Sequence, residues 1–406
     1  MFRYSALLSL LVLAIGAVAS PIAVDNTPKV TIAIASKFNS TGPVNIVAAD
    51  RARIAHLKNK AGSGAKRASY SFDITNTAVT YTTGVAIGSP ATTYTLLIDT
   101  GSSNTWVGAD KSYTATSTSK STGHRVSVTY GSGSFSGTEY TDRVSLSSDL
   151  TINSQSIGVA SSSSGFGSGI DGILGIGPVA LTEGTVSGVS SVPTVTDNLY
   201  SQGTISTEAI GVYFAPTTSR STTNGELTFG GADSSKYTGS LKYTSLTSTS
   251  PASEYWGIDQ SITYNGQTIL SSTAGIVDTG TTLVYIASDA YNKYVKATGA
   301  SLDSSTGLLK ISSSQYNNLK TLNFNIGGTA YGLTANAQIW PRSLNTYIGG
   351  SSNSIYLIVN DIGTNSGEGL DFIDGYTFLE RFYTVYDTTN SRFGIATTQY
   401  TSATSN

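Results

Sequence analysis

The stretch Leu96-Leu97-Ile98-Asp99-Thr100-Gly101-Ser102-Ser103 runs an apolar strand directly into an acid, a hydroxyl residue and a glycine. The chain repeats the pattern at Ala274-Gly275-Ile276-Val277-Asp278-Thr279-Gly280-Thr281-Thr282, and the two acids are 179 positions apart. That separation is about the length of one domain. We therefore predict two related half-structures whose Asp-Thr-Gly loops meet face to face.

A weak internal repeat extends beyond these loops. An aromatic residue, Trp106 or Tyr285, stands seven positions after each acid. Later in each half, Ile173-Leu174-Gly175 and Ile373-Asp374-Gly375 place apolar residues before a glycine. A unit used twice predicts two pseudo-symmetric lobes with a site where they meet.

Each residue of the paired loops has a physical task. Glycine, at Gly101 and Gly280, lets the backbone pass close to a partner loop. We expect hydroxyl groups to support the acids, with Thr100 and Thr279 bonding across to the opposing loop and Ser102 and Thr281 donating to the outer carboxylate oxygens. Two carboxyl groups about 3 Å apart cannot both ionise, so Asp99 and Asp278 are expected to share one proton.

Such a pair suits the hydrolysis of peptides. The protonated acid polarises a carbonyl group, and the ionised acid takes a proton from a water molecule held between them. No covalent intermediate and no cofactor are needed. The pattern leaves open which of the two acids carries the proton.

Composition excludes several other chemistries. The 406 residues contain no cysteine, which removes disulfides and thiol nucleophiles. The two histidines, His56 and His124, lie in a basic segment and a polar loop, so we expect neither a Ser-His-Asp triad nor a metal site. Residues 68–406 carry 14 Lys and Arg against 23 acids, which argues against nucleic-acid binding.

The beginning of the chain has the pattern of a leader with two parts. Residues 1–19 have a basic start, an apolar run and a small-x-small end, as a secretory signal peptide does. The apolar run is too short to span a membrane, so we expect a secreted protein that is no membrane protein. Residues 20–67 form a basic segment, with eight Lys and Arg against two Asp, that ends at the dibasic Lys66-Arg67.

The remainder divides into a first lobe, 68–245, and a second lobe, 246–406. Short Val, Ile, Tyr and Thr runs alternate with Gly, Ser and Asn clusters, a pattern typical of an all-β protein. Residues 126–140 are predicted to form a hairpin. Helices are predicted over 43–60, 193–202 and 288–298.

These motifs resemble the pepsin family (A1) of aspartic proteases over essentially all of residues 70–400. The segments that carry the resemblance are DTGSSNTW (99–106), VTYGSGSFSG (128–137), DGILGIGP (171–178), GIVDTGTTL (275–283) and FLERFYTVYD (378–387), followed by Arg392-Phe393-Gly394. The cysteine-free body is most similar to basidiomycete fungal members. The resemblance implies a bilobal fold of two β-barrel lobes with the cleft between them, acting as a monomer on protein and peptide substrates.

The resemblance also implies roles for single residues. Asp99 and Asp278 would be catalytic. Tyr130 would lie at the tip of a flap, supported by Trp106, and the backbone of Gly131 and Ser132 would bind the substrate chain. The first apolar subsite would be lined by Leu97, Phe166, Ile170 and Ile173. Pepstatin-type inhibitors would bind this cleft.

The resemblance also implies that the basic leader is an inhibitory propeptide. It would lie over the acidic cleft at neutral pH and leave when carboxylates become protonated. We predict that one cation pairs with the catalytic acids, with Lys58 and Lys60 as candidates.

One position departs from the family pattern. Asp374 stands where a buried aliphatic residue is usual, beneath the second Asp-Thr-Gly loop. We expect Asp374 to be either solvated or sharing a proton, and to tune the pH profile of the enzyme.

Three other functions are compatible with parts of the pattern. A catalytically silent pepsin-like binding or inhibitor protein would be expected to lose an acid, a glycine or the flap tyrosine. A glycoside hydrolase would hold its carboxylates about 5 to 9 Å apart, farther than these loops suggest. A secreted structural protein would have no use for a removable basic leader.

Overall fold

The computed structural model describes residues 29–38, 43–60, 79–131 and 133–406. The predicted signal peptide, the dibasic Lys66-Arg67 and Ser132, which we predict to be a flap residue, lie outside these described residues. No helix of the described part is long and apolar enough to cross a membrane.

Strands dominate the described chain, as the all-β prediction required. The first eleven are β1 (Val30–Phe38), β2 (Val79–Ile87), β3 (Thr92–Asp99), β4 (Thr105–Val107), β5 (Lys120–Tyr130), β6 (Gly133–Ser145), β7 (Thr151–Ser164), β8 (Gly172–Gly175), β9 (Ala209–Tyr213), β10 (Ser221–Phe229) and β11 (Thr238–Ser245). The others are β12 (Gly257–Tyr264), β13 (Gln267–Val277), β14 (Val284–Ile286), β15 (Ser301–Leu302), β16 (Leu309–Ile311), β17 (Leu322–Ile326), β18 (Thr329–Leu333), β19 (Ile355–Leu357), β20 (Val359–Asp361), β21 (Phe372–Asp374), β22 (Phe382–Asp387) and β23 (Arg392–Thr397).

Helices are short and few. They are α1 (Ile46–Lys60), α2 (Val195–Ser201), α3 (Ser288–Thr298), α4 (Ser313–Asn318) and α5 (Tyr376–Leu379), with 3₁₀ turns at Val179–Thr182, Ala252–Glu254 and Arg342–Ile348. The three helices predicted from the sequence are α1, α2 and α3. The predicted hairpin at 126–140 is part of the longer antiparallel pair β5–β6.

Two sheets carry the two Asp-Thr-Gly loops. The larger has the order β11-β23-β22-β9-β10-β1-β2-β3-β8-β4-β7-β6-β5, and the second has the order β18-β17-β12-β13-β21-β14-β20. A small third sheet has the order β15-β16-β19. The first acid ends β3 in the larger sheet, and the second directly follows β13 in the second sheet.

The repeat noted in the sequence is visible in the strand pairing. In the first half, β3 runs parallel to β8, and β8 pairs antiparallel with β4, which places Trp106 opposite Ile173. In the second half, β13 runs parallel to β21, and β21 pairs antiparallel with β14, which places Tyr285 opposite Ile373. The same crossing of strands therefore underlies both acids.

The basic leader is built into the body. Its strand β1 lies between β10 and β2 in the larger sheet. Its helix α1 begins after Asn45, whose side-chain oxygen accepts the backbone N–H of Ala48 at 2.9 Å. The apolar side of α1 is buried against the body, and its buried residues include Ile46, Val47, Ile54 and Leu57.

Candidate active site

The two Asp-Thr-Gly loops meet through reciprocal hydrogen bonds. The backbone N–H of Thr100 donates to the Thr279 hydroxyl oxygen at 3.0 Å, and the N–H of Thr279 donates to the Thr100 hydroxyl oxygen at 3.0 Å. The Thr279 hydroxyl also donates to the carbonyl of Ile98 at 3.2 Å. Both threonines are buried, so these bonds are shielded from water and hold the loops face to face.

Each acid is fully buried and is oriented by its own loop. Asp99 accepts the backbone N–H of Gly101 at 3.0 Å on one oxygen and the Ser102 hydroxyl at 2.5 Å on the other. The second loop repeats this arrangement on Asp278, with donors at Gly280 (3.2 Å) and Thr281 (2.6 Å). The donors fix both carboxylate planes and leave the remaining oxygen positions directed at the space between the loops.

That space is occupied by Arg53 from helix α1. Its guanidinium donates to Asp99 at 2.5 Å and to both oxygens of Asp278 at 2.7 and 2.8 Å. Burial alone would lower the pKa of Arg53, but the adjacent Asp278 and Asp99 raise it well above its ordinary value. Burial likewise opposes ionisation of Asp278, and the charge of Arg53 nevertheless holds the pKa of Asp278 below its ordinary value.

A second leader residue binds the loop that follows Asp278. Asp50 lies one helical turn before Arg53, so both side chains share one face of α1. Its carboxylate accepts the backbone N–H groups of Thr282 and Leu283, both at 3.0 Å. Burial raises the pKa of Asp50 to about 7, although the hydrogen bonds from Thr282 and Leu283 oppose this shift.

Glycine is required where the leader approaches the loops. A Cβ atom at Gly101 or Gly280 would overlap the guanidinium of Arg53, and one at Gly131 would overlap the backbone of Ala52 and Arg53. The cleft is thus so narrow that a methyl group at any of these three positions would prevent helix α1 from docking as it does here.

The hairpin β5–β6 carries an aromatic cluster next to the acids. Tyr130 is buried, and its ring lies 6.5 Å from that of Trp106 and 5.8 Å from that of Phe166. Trp106 in turn stacks on Phe135 at 4.2 Å. Burial, followed by the negative charge of Asp99, raises the pKa of Tyr130 well above its ordinary value, so the phenol stays protonated.

The predicted subsite residues fall into two groups. Ile173 is buried in the apolar cluster with Trp106 and Tyr130, and Leu97 and Phe166 pack against that cluster while remaining partly exposed. Ile170 is buried as well, but it does not belong to this cluster. The structure therefore brings Leu97, Phe166 and Ile173 together.

The choice of Lys58 as the cation paired with the acids is wrong. Lys58 donates to the Thr364 hydroxyl at 2.6 Å and to the carbonyl of Ile362 at 3.3 Å. The side chain of Lys60 lies outside the described residues. The sequence reasoning missed Arg53, although its position within the buried stripe of α1 was a signal that could have identified it.

Asp374 lies beneath the second loop and is fully buried, which excludes the solvated alternative. Its backbone carbonyl accepts the N–H of Asp278 at 3.1 Å. Its side chain accepts a hydrogen bond from Gln260 at 3.3 Å. Burial raises the pKa of Asp374 to about 8, with the Gln260 hydrogen bond opposing the shift.

The geometry favours acid–base chemistry at two carboxyl groups. Among the described residues no group of three or more His, Asp or Glu could hold a metal ion. The two acids form a site for a polar group that bridges both carboxylates. In this structure the guanidinium of Arg53 occupies that position.

A model of the eukaryotic aspartyl protease family matches residues 80–398. The chain belongs to this family. The protease is 69% identical to polyporopepsin from Irpex lacteus over 335 residues, which are 82% of this chain and 98% of that protein. It is 33% identical to pepsin A from Suncus murinus over 330 residues, which are 77% of this chain and 79% of that protein.

The solved structures agree with this assignment. The crystal structure of the aspartic proteinase from Irpex lacteus matches with a TM-score of 0.78 and 69% identity, covering 80% of this chain and 96% of that one. The predicted pepsin-family membership and the bilobal, mostly β fold are thereby confirmed. The protease is an aspartic endopeptidase, a hydrolase of family A1.

Proposed function

We propose that this aspartic endopeptidase is secreted as an inactive zymogen and cleaves proteins at acidic pH, with a preference for hydrophobic residues around the scissile bond. Residues 1–19 direct secretion and residues 20–67 are the inhibitory propeptide. Cleavage near Lys66-Arg67 leaves a mature enzyme of two lobes that works as a monomer.

The observation that carries the zymogen proposal is the position of Arg53. Substrate must place its carbonyl group and a water molecule between Asp99 and Asp278, and Arg53 fills that place with contacts of 2.5 to 2.8 Å. The charge of Arg53 also holds the pKa of Asp278 below its ordinary value and so favours its ionised form. Contacts from one cation to both acids leave no room for the proton and the water molecule that the reaction needs.

After the leader departs, the two acids hold one proton between them. The ionised acid takes a proton from the water as its oxygen attacks the carbonyl carbon. The protonated acid gives its proton to the carbonyl oxygen, which yields a neutral gem-diol. The acid that took the proton from water then gives it to the amide nitrogen, while the other acid takes a proton back from one gem-diol hydroxyl as the C–N bond breaks. A carboxylic acid and an amine leave, the pair again holds one proton, and no covalent enzyme intermediate forms.

The aromatic hairpin supplies the remainder of the site. Tyr130 closes over the substrate with Trp106 behind it, and the backbone of Gly131 and Ser132 binds the substrate chain. The partly exposed Leu97 and Phe166, above Ile173, offer an apolar surface that favours a large apolar side chain next to the cleaved bond. Pepstatin-type inhibitors would compete for this cleft.

The test is an activation time course on the full-length chain. We expect purified proform to lose the mass of the leader at pH 3 and to gain pepstatin-sensitive peptidase activity at the same rate. Asp278→Asn should abolish both changes. Proform that cleaves peptide at pH 3 with no change in mass would refute the zymogen proposal, and processed enzyme without activity would refute the catalytic one.

A further inference from the structure

Asp374 occupies a position where the two halves of the molecule differ. In the first half, Ile98 on β3 is paired with Leu174 on β8. In the second half, Val277 on β13 is paired with Asp374 on β21. A fully buried carboxyl group therefore stands beneath the Asp278 loop where the Asp99 loop has an aliphatic side chain.

Only one of the two oxygens of the Asp374 carboxyl group accepts a side-chain hydrogen bond among the described residues. The side-chain amide of Gln260 donates through Nε2 to Asp374 Oδ1 at 3.3 Å. Asp374 Oδ2 and Gln260 Oε1 are buried and have no hydrogen-bond partner among the described residues. Both orphaned atoms are acceptors, and they belong to the two planar groups that the Nε2–Oδ1 bond already joins. One proton on Oδ2 would supply the donor that both atoms lack.

Among the described residues no ion pair includes Asp374, so no cation in this part of the chain compensates a charge at this place. The titratable groups that face it are the buried Tyr386 of β22 and Asp278, whose backbone N–H it accepts, and neither carries positive charge. From β14 the paired residue is the apolar Val284. An isolated carboxylate in such surroundings is strongly disfavoured.

We propose that Asp374 is a positioning residue that stays protonated while the enzyme works and forms a two-bond acid–amide pair with Gln260, which braces the strand beneath Asp278. Oδ2–H donates to Gln260 Oε1, and Gln260 Nε2 donates to Oδ1. Loss of this proton at higher pH places an unpaired charge under the Asp278 loop. The second half of the active site is therefore acid-dependent, and the first half has no corresponding group. The proposal concerns the hydrolytic site itself and does not depend on the zymogen proposal.

The direction of the pH effect follows from the buried state. Burial raises the pKa of Asp374 from 3.8 to about 8. A group whose folded-state pKa lies above its unfolded value contributes stability that is complete below the unfolded pKa and is lost as the pH rises towards the folded one. Asp374→Asn keeps the planar shape and can form an amide–amide pair with Gln260, but it does not titrate.

The experiment compares thermal unfolding of full-length chains in an Asp99→Asn background, so that no chain cleaves itself. We expect Asp374→Asn to unfold within about 1 °C of the parent at pH 3.5 and roughly 5 °C above it at pH 7. Asp374→Leu should unfold below the parent at pH 3.5 because it leaves Gln260 unpaired. A gap between Asp374→Asn and the parent that is the same at both pH values would overturn the proposal.

Asp371→Asn is the matched control. Asp371 is also buried, but it accepts three hydrogen bonds, from the Thr273 hydroxyl at 2.5 Å and the backbone N–H groups of Gly367 and Glu368 at 2.6 and 3.0 Å. Its amide variant should lower the unfolding temperature at both pH values. In the active background, Asp374→Asn should leave both limbs of the kcat/KM profile in place over the acidic range, because Asp374 stays protonated there, whereas Asp374→Leu should lower kcat/KM. A loss of kcat/KM in Asp374→Asn as large as that in Asp374→Leu would also overturn the proposal, whereas the unfolding result is obtained whether or not the chain cleaves peptides.

Discussion

Arg53→Ala in the full-length chain should convert a silent proform into an active one. The guanidinium makes three contacts of 2.5 to 2.8 Å with two fully buried carboxylates, and it is itself 13% exposed. Breaking a buried ion pair costs about 3–5 kcal/mol. Since the released acids can share a proton, we take the lower end, about 3 kcal/mol, which increases the population with an open cleft roughly 100-fold.

The assay measures peptide cleavage before the leader is removed. A quenched fluorescent peptide with apolar residues at its centre is mixed with proform at pH 5, and intact mass is recorded over the same first seconds. We expect Arg53→Ala to cleave roughly 100-fold faster than the parent proform at unchanged mass. Arg53→Lys should be intermediate, because one ammonium group cannot reproduce the planar fork that binds two carboxylates.

Lys58→Ala is the control for a general loosening of the leader. Lys58 lies on the same helix and is also bound to the body, but through Thr364 and Ile362 at a distance from the acids. Its variant should stay silent at pH 5. An Arg53→Ala proform that unfolds at the parent temperature and yet cleaves no faster than the parent would refute the reasoning.

Two further predictions concern pH and substrate. Arg53 holds the pKa of Asp278 below 3.8, so the leader binds Asp278 strongly above that pH and more weakly as the pH falls towards the lowered pKa. Self-processing, measured by the loss of mass, should therefore accelerate steeply below about pH 4. An equal rate at pH 3 and pH 6 would contradict this. Phe166→Ala removes a partly exposed ring that lies 4.9 Å from the ring of Trp106. This variant should reduce kcat/KM roughly tenfold for peptides with a large apolar residue at the cleaved bond and leave kcat/KM unchanged for peptides with alanine there. An equal loss for both peptides would count against Phe166 as a subsite residue.

The paired loops could be read from the sequence because their geometry is local. An apolar strand followed by Asp-Thr-Gly fixes the direction of each acid, and the second copy supplies the partner. The supporting donors Gly101 and Ser102 lie within three residues of Asp99, as Gly280 and Thr281 lie within three residues of Asp278. Little beyond the local backbone is therefore needed to place them.

The cation that blocks the site could not be chosen in the same way. Its identity depends on how helix α1 is rotated about its axis when it docks, and the docking involves residues more than 200 positions away. We predicted Lys58 or Lys60, whereas the side of α1 that buries Ile54 and Leu57 brings Arg53 to the acids. The acidic neighbour Asp50 lies one turn earlier, and an acid and a cation three positions apart share one helix face.

The leader strand was missed for another reason. Ile32 and Ile34 are buried and alternate with the exposed Thr31 and Ala33, which is the period of a half-buried strand. The segment lies in a basic leader that we expect to be removed, and its partners β2 and β10 are far apart in the sequence. The Asp374–Gln260 contact joins residues 114 positions apart, and nothing in the local sequence indicates it.

The position of β22 has a consequence for how the protein is made. Strand β9 is covered on one side by β10, from its own half, and on the other by β22, which lies about 170 residues later in the chain. A ribosome delivers the chain from the N-terminus, so the edge of β9 stays without its partner until residues 382–387 have been synthesised. An uncovered strand edge is a site for pairing with other chains. Truncation after residue 376 removes β22 and β23. It should therefore promote aggregation of the first half in addition to unfolding the second half.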